Sequence, residues 1–189
     1  VTGHALLICL SLSLAKLPAM KHLLLVIFLL PLLSMAQNNQ RPRCADQPVY
    51  RQFDFWVGEW NVFATNGQQA GTSKVERLLD SCVLLENWYA TRGSTGKSFN
   101  TYNALKAKWQ QYWVDDSGGV TEYINGRFEN GSMIMETEKI PLPNQQGFRI
   151  MRMTFTPLSK DKVRQHGENS IDGGQTWKTD FDLEYRRKQ

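Results

Sequence analysis

Apolar and polar residues alternate in short runs from Trp60 to Arg186, and almost every run closes on turn chemistry. Alternation with period two predicts half-buried strands. Ten candidates follow: 60–65, 72–79, 83–91, 97–105, 109–115, 120–124, 132–140, 148–156, 162–170 and 176–186. Asn66-Gly67, Asn125-Gly126 and Asn130-Gly131 are hairpin dipeptides, because type I′ turns need positive φ at both central residues. Ser117-Gly118-Gly119 and Asp172-Gly173-Gly174 do similar work. Asn130-Gly131-Ser132 also has the form of a glycosylation sequon and is read here as a turn. With no long helix between the runs, the pattern predicts an all-β antiparallel barrel or sandwich.

The faces of the middle strands are mixed. Trp109, Gln111 and Trp113 share one face, opposite Gln110, Tyr112 and Val114. Met151, Met153 and Phe155 share another, opposite Arg152, Thr154 and Thr156. A filled core reads apolar along one face throughout, whereas a barrel holding a polar ligand or water does not. The mixed faces favour an interior that is not filled. Alternation by itself does not say which face points inward.

The chain ahead of the strands divides into a leader and a lead-in. Met20-Lys21-His22 opens a positive segment, Leu23 to Leu33 is apolar, and Ser34-Met35-Ala36 supplies the small residues of a cleavage site. The apolar run is shorter than the roughly 20 residues a bilayer-spanning helix needs. Residues 20–36 are therefore read as a signal peptide, 1–19 as an upstream extension of the gene start, 37–52 as an extended lead-in and 53–189 as the barrel domain. Loss of Lys16 and Lys21 with the leader reduces the net charge to about +2, ordinary for a soluble protein. There is no basic stripe to support nucleic-acid binding, and no stable membrane insertion is expected after cleavage. Cys44 and Cys82 remain as an even pair, and export favours a disulfide between them. Closing that loop is worth about 4 kcal/mol in the chain-entropy picture. His166 is the single histidine after the leader, so zinc-type spacing is missing and no metal or cofactor is implied.

One block is more specific. Phe53-Asp54-Phe55-Trp56-Val57-Gly58-Glu59-Trp60 resembles the opening of an uncharacterised bacterial FDFWxGEW domain family, lipocalin-like (calycin-like) in fold. The likeness extends through Cys82–Trp88, Lys97–Tyr102, Trp109–Asp115 and Ser170–Trp177. It implies a single antiparallel lipocalin-like β-barrel of about ten strands. Phe53, Phe55 and Trp56 would form a short helical plug, Gly58 the bend and Trp60 the first inward residue. In lipocalins an arginine of the last strand stacks over that tryptophan, and Arg186 or Arg187 is placed to do so. The resemblance carries no agreed activity.

Several motifs bear on chemistry. Ser170-x-Asp172-x-Gly174-x-Thr176-Trp177 matches the Asp-box of sialidases, where it ties a hairpin; one copy here reads as a turn with Trp177 packed beneath. His166 as a haem ligand, or as part of a triad with Ser170 and Asp172, is the weaker reading, since no nucleophile elbow accompanies it. Arg152, Arg164 and Glu168, if all inward, would hold a polar or anionic ligand; exposed cross-strand pairing is the competing reading. The pocket candidates are Glu86, Trp88, Asn100, Tyr102, Gln111, Trp113, Arg152 and Arg164. Together these features predict an exported, periplasmic or extracellular barrel that binds a small molecule, with no assigned catalysis. The alternatives are a barrel enzyme of isomerase, cyclase or lyase type using inward Glu86 or Glu168 as base, and a structural envelope protein with a filled core.

Overall fold

The computed structural model describes residues 41–143 and 146–189. The expected signal peptide at 20–36 and the expected upstream extension at 1–19 lie outside the described residues. Eleven strands follow one another: β1 (Gly58–Ala64), β2 (Gln69–Leu78), β3 (Val83–Ala90), β4 (Thr95–Asn103), β5 (Lys108–Asp115), β6 (Val120–Glu129), β7 (Ser132–Glu136), β8 (Ile140–Pro141), β9 (Phe148–Ser159), β10 (Lys162–Ser170) and β11 (Lys178–Arg187). All pairings are antiparallel, in the order β1-β2-β3-β4-β5-β6-β7-β9-β10-β11. β11 pairs back onto β1, with Trp60 opposite Arg187, so ten strands close into a barrel. The brief β8 lies beside β9 outside that ring. Closure leaves the ten strands without an open edge.

The turn at Asn130-Gly131 forms as expected: φ is 49° and 77°, and Glu129 pairs with Ser132 across it. The one expected at Asn125-Gly126 does not, because β6 runs straight through it. Gly126 instead lies opposite Trp109 at a register shift, where a Cβ would sit 2.4 Å from the Trp109 carbonyl oxygen. That glycine serves a close approach of two backbones and not a reversal of direction. β11 likewise begins at Lys178 and not Thr176. The Asp172 carboxylate accepts the Gln175 and Thr176 amides and the Thr176 hydroxyl, holding those residues in the turn. Ser170 Oγ donates to Asp172 and accepts from the Gly174 amide, while Trp177 Nε1 donates to the Gly174 carbonyl. These hydrogen bonds hold the Asp172 carboxyl well below the usual carboxylate range.

One end of the barrel is sealed. The short 3-10 turn Asp54–Trp56 brings Phe53 and Trp56, both fully buried, against Phe155 and Trp109. Phe55 packs at the margin beside Phe128. Trp60 is fully buried, donates Nε1 to the Trp56 carbonyl at 2.9 Å, and carries the Arg187 guanidinium over its ring at 4.2 Å. Arg187, and not Arg186, makes this stack; Arg186 lies over Phe63. Arg187 also donates to the Val57 carbonyl. Gly58 turns beneath it at φ +140°, and a Cβ there would lie 2.1 Å from Arg187 Nη1. Gly58→Ala should therefore cost about 1–3 kcal/mol through backbone strain alone, and displace Arg187 as well. A lower urea midpoint at unchanged slope would show it.

The lead-in is tied to the β2–β3 turn by a Cys44–Cys82 disulfide. Arg43 forks onto Asp80 at 2.9 and 2.7 Å, and Arg51 donates to the Ser81 carbonyl. Leu79, Asp80 and Ser81 all take positive φ in this turn, a conformation side chains rarely adopt without outside restraint. The three ties from the lead-in supply that restraint.

Candidate functional site

Inward side chains stack in three tiers from the sealed end to the other. The lowest is apolar: Trp60, Val75, Leu84, Trp109, Phe155 and Val163 above the plug, all at most 2% exposed. The second is polar: Ser73, Glu86, Ser98, Asn100, Gln111 and Gln165, with the Tyr185 hydroxyl. The third is wide and aromatic, with Trp88, Trp113, Met151 and Phe181 half-buried. A cavity of about 290 Å³ occupies the barrel above the polar tier. This is near the lower end of small-molecule sites, roughly 300–1,000 Å³.

The width of the third tier comes from glycine. Gly71, Gly96 and Gly167 lie against Trp88, Trp113 and Phe181, and a Cβ would stand 2.8, 2.3 and 2.4 Å from those rings. Each ring occupies the space that a side chain at the glycine would take. The aromatic area then lines the wall and leaves the centre open.

Glu86 organises the polar tier. Its Oε1 accepts from Ser73 Oγ at 2.9 Å and faces the Tyr185 hydroxyl at 3.2 Å; Oε2 accepts from Ser98 Oγ at 3.1 Å. The Tyr185 hydroxyl also lies 2.8 Å from Gln165 Oε1, and its single proton serves one of the two at a time. A neutral Glu86 can donate to Tyr185, which then donates to Gln165; an ionised Glu86 draws that proton to itself. Burial pushes the Glu86 carboxyl up to about 7, against the opposing pull of its three hydroxyl partners. Burial, and then the nearby Glu86 charge, raise the Tyr185 phenol well above its ordinary value.

Beside this carboxyl, Asn100 Nδ2 donates to the Leu84 carbonyl and to Ser98 Oγ. Asn100 Oδ1 must then face Gln111 Nε2, which donates to it at 2.8 Å. That fixes the Gln111 amide with its Oε1 buried and without a partner. Gln111 lines the cavity. A buried acceptor left unpaired costs about 1–3 kcal/mol, and this one belongs to a residue of the cavity lining.

Of the residues expected at a site, Glu86, Trp88, Gln111 and Trp113 line the cavity together. Asn100 lies in the tier beneath as the support of Gln111. Tyr102 is one step nearer the plug, packed edge-on to Tyr50 and Trp109, and does not line the cavity. Arg152 and Arg164 correct the expectation of a charged interior. Met151, Met153, Val163 and Gln165 take the inward positions of β9 and β10, so their neighbours point out. Arg152 pairs with Glu168 at 2.9 Å and covers Trp177, and Arg164 forks onto Asp182. His166 is on that same outer face, against the Thr179 hydroxyl. Among the described residues there is no cluster of His, Cys, Asp and Glu able to hold a metal ion, and no helix long and apolar enough to cross a membrane.

Residues that sequence reasoning missed are Ser73, Ser98, Gln165 and Tyr185 around Glu86, and Tyr123, Met153 and Phe181 in the walls. Ser98 had a signal: it shares the period-two face of Asn100, opposite Phe99. Ser73, Gln165 and Tyr185 had none, since only strand register brings them to Glu86. The chain matches no protein-family model and no curated protein.

Proposed function

We propose that this is an exported, lipocalin-like barrel that binds a small molecule in its interior. The observation that carries the reading is the unpaired Gln111 Oε1, held in a rigid amide network at the wall of a cavity. The aromatic rim and the glycines that hold it back support the same reading. The leader at 20–36 and the Cys44–Cys82 disulfide support export to an oxidising compartment. The resemblance to the FDFWxGEW domains is consistent with a barrel of this kind.

A second reading has one observation in its favour. Glu86 lines the cavity with its carboxyl raised to about 7, a value suited to a general base. Against it, both carboxyl oxygens are already engaged by hydroxyls, which lower the proton affinity a base relies on.

Native mass spectrometry of protein recovered from its own host tests the binding reading. The expected result is an added mass that leaves on denaturation. Gly96→Ala, which drives the Trp113 ring into the cavity, should remove that mass while the barrel stays folded. A bare wild-type protein, or a mass retained unchanged in Gly96→Ala, would overturn it.

A further inference from the structure

The buried polar floor of the cavity leaves acceptors open, and the lining carries no fixed positive charge. No Lys, Arg or His is among its lining residues. The donors of the polar tier are spent within it: the Ser73 and Ser98 hydroxyls on Glu86, and the Gln111 and Asn100 amides on one another, on Ser98 and on the Leu84 carbonyl. What remains open is acceptor capacity: Gln111 Oε1, and the second lone pair of Glu86 Oε2. The two side chains share a neighbour, since Ser98 Oγ touches both Glu86 Oε2 and Gln111 Nε2.

Charge points the same way. Glu86 is 3% exposed and has hydroxyl partners but no cationic one among the described residues. An anionic guest would add a second uncompensated negative charge in a desolvated site. A cation would supply the missing countercharge, and the faces of Trp88, Trp113 and Phe181 favour one electrostatically. We propose that the cavity takes a cationic amine or amidine on a flat hydrophobic body, its nitrogen set between Glu86 and Gln111 Oε1 and its body among the rim aromatics. This rests on the reading that the barrel binds a small molecule, and it replaces the anionic guest that inward Arg152 and Arg164 would imply.

A proton linkage follows. Facing Glu86 are Ser73 from β2, Ser98 from β4 and Tyr185 from β11; of these only Tyr185 titrates, far above neutrality. Nearer the rim, Asp180 and Arg149 act on the Tyr123 phenol with opposite sign. Glu86 is thus the group whose proton a bound cation displaces near pH 6.

The test is calorimetric titration of the oxidised protein with three probes sharing one body: tryptamine, tryptophol and indole-3-acetate. Tryptamine should bind tightest, by about tenfold or more over indole-3-acetate near pH 8. Near pH 6 its binding should release roughly one proton, read from the dependence of heat on buffer, and near pH 8.5 almost none. Glu86→Gln should cut the preference to within about threefold and leave tryptophol nearly unchanged. Equal or tighter binding of indole-3-acetate, or no proton release, overturns the cation assignment and leaves the binding reading standing. No heat from any of the three also overturns the cation assignment, and the binding reading is then decided by the native mass alone. Should Glu86→Gln fail to fold, the proton release of the wild-type protein decides the question on the same terms.

Discussion

Trp56→Ala should destabilise the barrel by about 3–5 kcal/mol, the cost of deleting a fully packed large aromatic. Trp56 is wholly buried, stacked on Phe53 at 5.0 Å and tilted against Phe155 at 4.5 Å, with Tyr185 edge-on at 6.1 Å. No other side chain can fill the space, since the plug turn is held at both ends by backbone hydrogen bonds. Trp56→Phe should cost roughly half as much or less. The indole Nε1 of Trp56 is buried with no partner, so removing it relieves a desolvation penalty of about 1–3 kcal/mol that offsets part of the lost packing. Urea midpoints at constant slope measure both values. Equal losses for the two variants would mean that a phenyl ring recovers none of the packing lost with the indole. Because Trp56 abuts Tyr185, Trp56→Ala should also loosen the floor beneath Glu86 and weaken whatever binds above it.

Between pH 4.5 and 7 the unliganded barrel should lose about 3 kcal/mol of stability through Glu86 alone. The native state holds this proton to about pH 7, the unfolded chain only to about 4.5. Each unit of that gap corresponds to about 1.4 kcal/mol. A raised native value means the contribution is complete below the unfolded value, declines through the interval, and is gone above 7. Asp172, Asp182 and Glu184 act in the opposite sense: their native values are lowered, so their contributions vanish as the pH falls into the acid range. Glu86→Gln isolates the effect, because its stability should be flat across the window in which the wild-type protein declines. Denaturant melts of the two proteins at a series of pH values give the difference directly. Parallel curves would show that Glu86 is ionised in the native state throughout and that the polar tier is more solvated than its burial indicates.

The strength of that network also explains why an empty site can be stable. Ser73, Ser98 and Tyr185 satisfy the carboxyl without a cation, and Asn100 anchors Gln111, so the floor is rigid before any guest arrives. Preorganisation of this kind removes part of the ordering cost of binding. It also separates the two halves of the barrel. The plug, Trp60 and Arg187 provide stability at one end, and the glycine-backed aromatics provide space at the other.

The architecture was legible from local rules. Alternation and turn chemistry located the ten barrel strands, because these signals act between residues close in the chain; the sealed end at Phe53, Trp56, Gly58 and Trp60 was implied by the resemblance to lipocalin-like domains. The same rules misread Asn125-Gly126, whose glycine answers to Trp109 on another strand. The site was half legible: Glu86, Trp88, Gln111 and Trp113 could be picked as polar and aromatic residues of mixed strands, but so could Arg152 and Arg164. Period two says which residues share a face and is silent on which face is inside when both carry polar groups. That choice was made by closure of β10 and β11 onto β1, which turned Met153 and Gln165 inward and both arginines out. Height was decided the same way: Tyr102 and Asn100 share a face of β4, yet only the plug and the strand registers place one beside Trp109 and the other beneath the cavity. Strands and most turns follow from the order of residues, since each is a short-range matter of backbone preference and apolar pattern. The chemistry of the interior arises only on closure, because the candidate site consists of side chains from eight strands whose relative depth is set by register and by nothing within any one of them.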